Sequence, residues 1–417
     1  MNCTKLFVSR RTVLPEGVKP AVLVVSNGII ENIITLNNDS EINSAIERYA
    51  GAECEDFGNL VLMPGIVDSH VHINEPGRTQ WEGFWTATRA AAAGGVTTLI
   101  DMPLNSTPPT TTVQNLKLKV AAAQNKTFVD VGFWGGVVPG NRHELKPLVE
   151  AGVVGFKCFL IPSGIPDFGY VQKEDVEQAL AELQHLNTTL AFHAECEEEK
   201  VEISPQDDLA SYGVYLKTCP EIMEVKAIAN VKNWCESYKC RCHIVHLSSA
   251  MALSLIREAK QKQLPLTAET CFHYLSISAE EIPPGATQFK CCPPIRNEAN
   301  REELWAALKD HTLDMVVSDH SPCTEDLKTK GNYLTAWGGI SSLQFGLALL
   351  WTEARKRDFG LQDIVRVLCS GPAKLSGFDS RKGSLQIGMD ADFVMWNPDE
   401  TIEVFEHTTL AHDFSCY

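Results

Sequence analysis

The sequence predicts a (β/α)8 barrel joined to a small β-domain built from both chain ends. Two observations predict it, and a third locates its working face. From residue 60 to about residue 370, short β-branched apolar segments alternate with longer Ala/Leu/Glu/Lys segments, as in strands that are each followed by a helix. The flanks on either side carry strand-and-turn sequence without helical periodicity. Polar residues recur at the C-terminal ends of the predicted strands, where a barrel places the groups that meet a ligand.

In chain order, residues 1–62 form the first part of the small β-domain, typified by AVLVVSNGIIENIITL. Residues 63–370 form the barrel. Its predicted strands are GIVDSHVH, VTTLIDM, FVDVGFWG, VVGFKCFL, TLAFHAE, CHIVHLSS, PLTAETC and LDMVVSD. Between them lie helical runs such as GFWTATRAAAAGG, VQNLKLKVAAAQN, KEDVEQALAELQHL, IMEVKAIANVKNWCESY and AMALSLIREAKQK. No Gly-x-Gly-x-x-Gly turn opens a helix after the first strand, so a dinucleotide fold lacks its signature. Residues 371–417, with GSLQIGMDADFVMWNPDETIEVFE, return to the small β-domain.

Composition narrows the function classes. The chain has 417 residues, 44% of them hydrophobic, enough for a large core, and its formal charge of −17 argues against a nucleic-acid or anionic-membrane surface. No apolar run approaches the ~20 residues of a membrane span. The opening MNCTKLFVSRRTVLPEG has no apolar core like that of a secretory signal. An intracellular protein is expected, cytoplasmic or organellar, with peroxisome and mitochondrion both open. The fourteen cysteines are scattered and fit reduced thiols. A zinc cluster of Cys235, Cys240 and Cys242 lacks an evident fourth ligand and the usual spacing.

The strand ends carry the chemistry. His70 and His72 lie two residues apart, so on one strand they share a face. Lys157 follows in GFKCFL, His193 in AFHAE, His246 in CHIVHLSS and Asp319 in VVSDHSP. Six such residues at one level of a barrel are hard to explain by packing, because each buried imidazole or charge needs its own partner. A metal centre satisfies them together. Burial would push the Lys157 amine towards its neutral form, which reacts with carbon dioxide to give an anionic carbamate able to bridge two metals. A salt-bridged barrel lysine is the alternative.

Parity sorts the other histidines. His243 lies three residues from His246 and should face away from it. His320 follows Asp319 directly and should turn from it, acting as a supporting donor. His273 is placed to line the mouth, and His143, His185, His311, His407 and His412 fall in helical or terminal surface segments.

The segments MPGIVDSHVHINEPGRTQWEGF, AGGVTTLIDMPLNSTPPT, GFKCFL, HAE, VHLSS, CCPPIRN and VVSDHSPC resemble the cyclic amidohydrolases, and within them the allantoinases. The resemblance implies a binuclear hydrolase, usually of zinc, with Lys157 carboxylated at N6 and shared between the ions. It places His70, His72 and Asp319 on one ion and His193 and His246 on the other. Asp319 would take a proton from the attacking water and return it to the departing ring nitrogen. A homotetramer is also implied.

Asn74 bears on the substrate. Similar dihydroorotases carry an arginine there for the substrate carboxylate, whereas an asparagine suits the neutral ureido arm of allantoin. Asn74 as a turn former is the other reading. Asn105, Asn297, Ser321 and Gly339 are further candidate substrate contacts in strand-end loops. Dihydropyrimidinase or hydantoinase activity, dihydroorotase activity and a non-catalytic scaffold are the competing functions. The final TTLAHDFSCY departs from the family pattern, which points to a shortened β-domain.

Overall fold

The computed structural model describes residues 4–38, 40–197 and 201–404; the departing tail and His407 and His412 lie outside the described residues. The first strands are β1 (Thr4–Leu14), β2 (Gly17–Ser26), β3 (Ile29–Thr35), β4 (Glu53–Asp56) and β5 (Val61–Pro64). The barrel strands follow as β6 (Ile66–Val71), β7 (Val96–Asp101), β8 (Asp130–Phe133), β9 (Gly135–Gly136), β10 (Phe156–Phe159), β11 (Thr189–His193), β12 (Arg241–Ile244), β13 (Leu266–Cys271) and β14 (Met315–Val317). The last described strand is β15 (Phe393–Trp396).

Both chain ends meet in one sheet of order β15-β5-β1-β2-β3, with β4 pairing β1. The run AVLVV in β2 is apolar at successive positions because both faces of this sheet are covered. Val22 and Val24 pack with Leu6 and Val8 on one face, while Ala21 and Leu23 pack with Leu14, Leu62 and Leu385 on the other. The first cover includes a helix, Ser40–Glu47, where the sequence predicts only strands and turns. Ile42 and Ala45, three residues apart, give it one short apolar face. Periodicity over so few residues is a weak signal.

The eight predicted barrel strands all form. The third stave is split by Trp134, so that β8 pairs with β7 and β9 with β10. From β9 to β14 the strands are parallel neighbours in chain order. The ring closes where the His72 N–H donates to the His320 carbonyl at 2.8 Å, beside the parallel bridge of Val71 and His320. Gly65 turns the chain from β5 into β6; a Cβ there would lie 2.0 Å from Thr97 Oγ1, so no larger residue fits. The helix Gly371–Leu375, which the sequence assigns to the small β-domain, packs instead against β6 and β14. Among the described residues no helix is long and apolar enough to cross a membrane.

Candidate metal centre

The closed ring brings the strand-end residues together. His72, Lys157, His193, His246 and Asp319 line one cavity of about 380 Å3. His70 lies fully buried beside it, with Nε2 3.1 Å from Asp319 Oδ1, and His72 Nε2 is 3.5 Å from the same oxygen. The two-residue spacing of His70 and His72 does converge on one point. On the other side, His193 Nδ1 and His246 Nε2 are 3.0 Å apart, and the His193 ring stacks on Phe159 at 4.4 Å. Lys157, on β10, is buried and lines the same cavity; its charge bears on His70, His72 and His246.

Backbone conformation aims several of these side chains. Asn74, Asn105, His246 and Asp319 have φ values of 66°, 71°, 39° and 44°, a region L-residues seldom adopt outside turns and functional sites. At His246 and Asp319 this breaks strand alternation just beyond β12 and β14, redirecting both side chains into the cavity.

A row of carboxylates supports the imidazoles. Glu269 Oε1 is 2.5 Å from His70 Nδ1, and its Oε2 is 3.0 Å from His243 Nε2. With the His70 proton on Nδ1, Nε2 presents a lone pair to the cavity. Glu195 Oε2 holds His193 Nε2 at 2.6 Å. His320 Nε2 meets Glu82 Oε2 at 2.8 Å and its Nδ1 accepts from the Ser342 N–H at 3.3 Å, so its ring is tied to Glu82 and to the chain beyond β14 and not to a candidate ligand.

Charge is balanced within the cluster. Burial opposes ionisation of Asp319, but the His70 and His72 imidazoles outweigh it and hold its carboxyl well below the ordinary range. Burial lowers His72, and burial with the adjacent His193 and Lys157 pushes His246 well below its usual value. Burial also brings the Lys157 amine down to about 8. At His70 burial works downwards, but Asp319 and then Glu269 outweigh it and raise the imidazole above its usual value. Buried imidazoles, an ionised carboxylate and an amine inclined to lose its proton form a donor set for a divalent ion. Two buried ring nitrogens, His70 Nε2 and His246 Nδ1, have no hydrogen-bond partner. Donor atoms of His70, His246 and Asp319 all lie within 4.8 Å of one another. These unsatisfied lone pairs fit a metal.

Several expectations need correction. His243 does not face away from the centre: both it and the His246 N–H, at 3.3 Å, contact Glu269, because the chain turns after β12. His273 does not line the mouth; it is fully buried against Tyr274. Asn297 is outside the cavity and caps the helix Glu298–Lys309, its side chain accepting from the Asn300 N–H at 2.9 Å. Cys235, Cys240 and Cys242 are buried and form no group of metal donors among the described residues. Asn105, Ser321 and Gly339 do line the cavity. Asn74 is fully buried, donates to the Pro322 carbonyl at 3.2 Å and is not among the lining residues. His143, His185 and His311 are exposed.

Sequence reasoning missed Glu269, Glu195 and Lys290. A lone glutamate in the apolar strand LTAETC and a second one two residues after His193 were available signals, because a buried carboxylate needs a partner. Lys290 gave none, since a single lysine before a loop is ordinary surface sequence.

This barrel, with a histidine-rich centre at its strand ends, defines a class of metal-dependent hydrolase. The chain belongs to the amidohydrolase family, which it matches over residues 61–414. It is 51% identical over 381 residues to the mitochondrial allantoinase of Aquarana catesbeiana, covering 91% of this chain and 77% of that one. It is 50% identical over 396 residues to the allantoinase of Streptomyces avermitilis, covering 95% and 86%. Among solved structures, the L-hydantoinase (dihydropyrimidinase) of Arthrobacter aurescens superposes with a TM-score of 0.87 at 27% identity, covering 98% of this chain and 91% of that one.

Proposed function

We propose that the chain is a cyclic-amide hydrolase that opens the hydantoin ring of allantoin to give allantoate, a step in purine degradation. The observation that carries this reading is the convergence of four imidazoles, Lys157 and Asp319 around one cavity in a chain about half identical to allantoinases. His70, His72 and Asp319 would hold one divalent ion, His193 and His246 a second, and Lys157, carboxylated at N6, would be shared. Zinc suits this donor set. Bound ions would supply a hydroxide nucleophile at neutral pH and a Lewis acid for the ring carbonyl.

The chain's own residues do the rest. Asp319, kept ionised by His70 and His72, accepts the proton of the attacking water. It returns that proton to the ring nitrogen as the C–N bond breaks, so the amide becomes a carboxylate and a terminal ureido group. Glu269 and Glu195 fix the ring orientation of His70 and His193. Asn105, with Nδ2 3.4 Å from His72 Nδ1, Ser321 and Gly339 are placed to contact the ring. At Gly339 a Cβ would come within 2.2 Å of the Ser321 carbonyl oxygen, so a side chain there would displace that wall. Asn74 acts through the turn it makes and the Pro322 loop it ties down.

A symmetric homotetramer in the cytoplasm or an organelle is part of this proposal. The hydantoinase likeness supports a second substrate class, hydantoins and dihydropyrimidines. The test is allantoate formation from allantoin by zinc-supplemented protein, with a chelated sample and dihydrouracil alongside. Chelator-sensitive turnover of allantoin over dihydrouracil supports the proposal. The reverse preference moves the reading to dihydropyrimidinase, and no turnover by folded, metal-loaded protein moves it to a non-catalytic scaffold.

A further inference from the structure

We infer that Lys290 and Trp337 form a subsite for the neutral ureido arm of the substrate, on a cavity wall built by loops and not by the metal-binding strand ends. The inference rests on the allantoin reading and adds how the enzyme would recognise that substrate over a bare ring.

Lys290 precedes the CCPPIRN loop and lines the cavity with only 8% of its surface exposed. Its position is fixed twice. Its carbonyl accepts from the Gly339 N–H at 2.8 Å, and its Nζ donates to the Ala336 carbonyl at 2.6 Å. The ammonium also sits 5.2 Å from the centre of the Tyr215 ring, a cation–π contact. An ammonium has three donors, and one of these is spent on Ala336. Among the described residues the titratable groups that bear on it are Cys292, Cys219 and Lys328, with no carboxylate, although buried lysines are ordinarily paired.

Trp337 adds a second donor to the same cavity lining. Its indole Nε1 is buried and meets no acceptor among the described residues, and its ring is held edge-on against Trp81 at 5.1 Å. Buried donors are almost always satisfied, so two underused ones in a single cavity point to an acceptor brought by the ligand. The carbonyl oxygens of a ligand, each with two lone pairs, can supply it.

A ureido group fits better than a second carboxylate. The negative charge of Glu195 bears on Cys219 and Cys292, which line the cavity with Lys290. Glu195, which holds His193 through Oε2, also lines the cavity. The cavity therefore offers donors on the loop wall and a carboxylate beside His193. A ureido group presents both complements, whereas a carboxylate would bring its charge towards Glu195.

The test compares allantoin with hydantoin, which has the same ring and no arm. Hydantoin is followed as a substrate or, where it binds without turnover, as a competitive inhibitor of allantoin hydrolysis. Lys290→Met keeps the length and removes every donor. Its kcat/KM for allantoin is expected to fall about 10- to 100-fold, mostly through KM, the scale of a lost charge-assisted hydrogen bond, while the hydantoin constant changes less than threefold. Trp337→Phe should shift the same ratio in the same direction by a smaller factor, and it serves if the Lys290 variant does not fold. Equal losses for both ligands, or no loss for allantoin, would overturn the subsite while leaving allantoin hydrolysis standing. Failure of the wild type to turn over allantoin would overturn both.

Discussion

Glu269 and His70 share a buried contact of 2.5 Å between Oε1 and Nδ1, and this contact fixes the orientation of a fully buried imidazole. The carboxylate is shared with His243, so one residue from β13 supports two histidines from different strands. Replacing it with glutamine keeps the size but removes the charge and puts an N–H where an acceptor is needed. Supporting partners of metal-bound histidines are worth about 10- to 100-fold in metal affinity. Glu269→Gln is expected to lose that much zinc affinity in a chelator competition. Wild-type affinity in a folded variant would remove Glu269 from the site.

The same residue predicts an acid dependence for the metal-free protein. Burial works against the Glu269 carboxylate, but the charges and hydrogen bonds of His70 and His243 outweigh it and bring the carboxyl down from 4.5 to about 2. A depressed carboxyl contributes stability fully above its unfolded value and loses it as pH falls towards its folded value. Chelated wild type should therefore lose about 1–2 kcal/mol of this contribution between pH 5 and pH 3, at roughly 1.4 kcal/mol per pH unit. Urea denaturation of wild type and Glu269→Gln at both values reads it as a narrowing gap. A constant gap would show that the carboxylate is not depressed.

Asp319 is the acid–base candidate, and asparagine separates its proton transfer from its position. Asp319→Asn retains an oxygen for the metal but cannot accept a proton. Turnover of allantoin should fall by roughly 10²- to 10⁴-fold, the usual worth of a positioned acid–base, with metal content within about half of wild type by elemental analysis. A variant with normal metal content and near-normal turnover would leave proton transfer to another group.

Much of this arrangement was legible in the sequence, for identifiable reasons. Most of the barrel strands are short, buried, largely apolar runs bounded by turns, so their existence could be read from composition. The convergence of His70 and His72 follows from strand parity. His246 and Asp319 were legible as strand-end residues, but the way their side chains reach the cavity was not, because both depend on positive φ values just past a strand end, which no pattern of residue types announces. Asn297 shows the opposite failure. It precedes Glu298 and opens a helix, so it had a capping signature available, but its loop position drew a ligand role. The Ser40–Glu47 helix was too short for its periodicity to outweigh the strands around it.

Lys157 carries a chemical prediction. Its amine, brought down to about 8 by burial, has a sizeable neutral fraction at slightly alkaline pH, and only the neutral amine reacts with carbon dioxide. Reconstitution of chelated protein with zinc should be faster or more complete with added bicarbonate at pH 8 than under carbon-dioxide-free gas. Lys157→Met should show no bicarbonate effect and bind at least one ion less. Equal reconstitution of wild type with and without bicarbonate, from a preparation shown by mass spectrometry to lack the carbamate, would exclude the modification.

Lys382 tests the join between the barrel and the C-terminal segment. Its Nζ lies 2.6 Å from Asp130, 2.6 Å from Asp392 and 3.2 Å from Asp390, tying β8 to the approach to β15. The three carboxylates alone resemble a cation site, but the ammonium already occupies their centre. Lys382 is itself only 8% exposed, so Lys382→Met would leave three like charges facing one another without a counter-ion. Loss of one partner from a fully buried pair costs about 3–5 kcal/mol. Because Asp130 is two-thirds exposed, solvent screening should reduce this to about 1–3 kcal/mol. Thermal or urea unfolding is expected to show that loss, with partial recovery on adding a divalent cation such as calcium that takes the vacated place. An unchanged midpoint would mean that the three carboxylates are solvated well enough to stand alone, and that the join depends on the β5–β15 pairing and the packing around it.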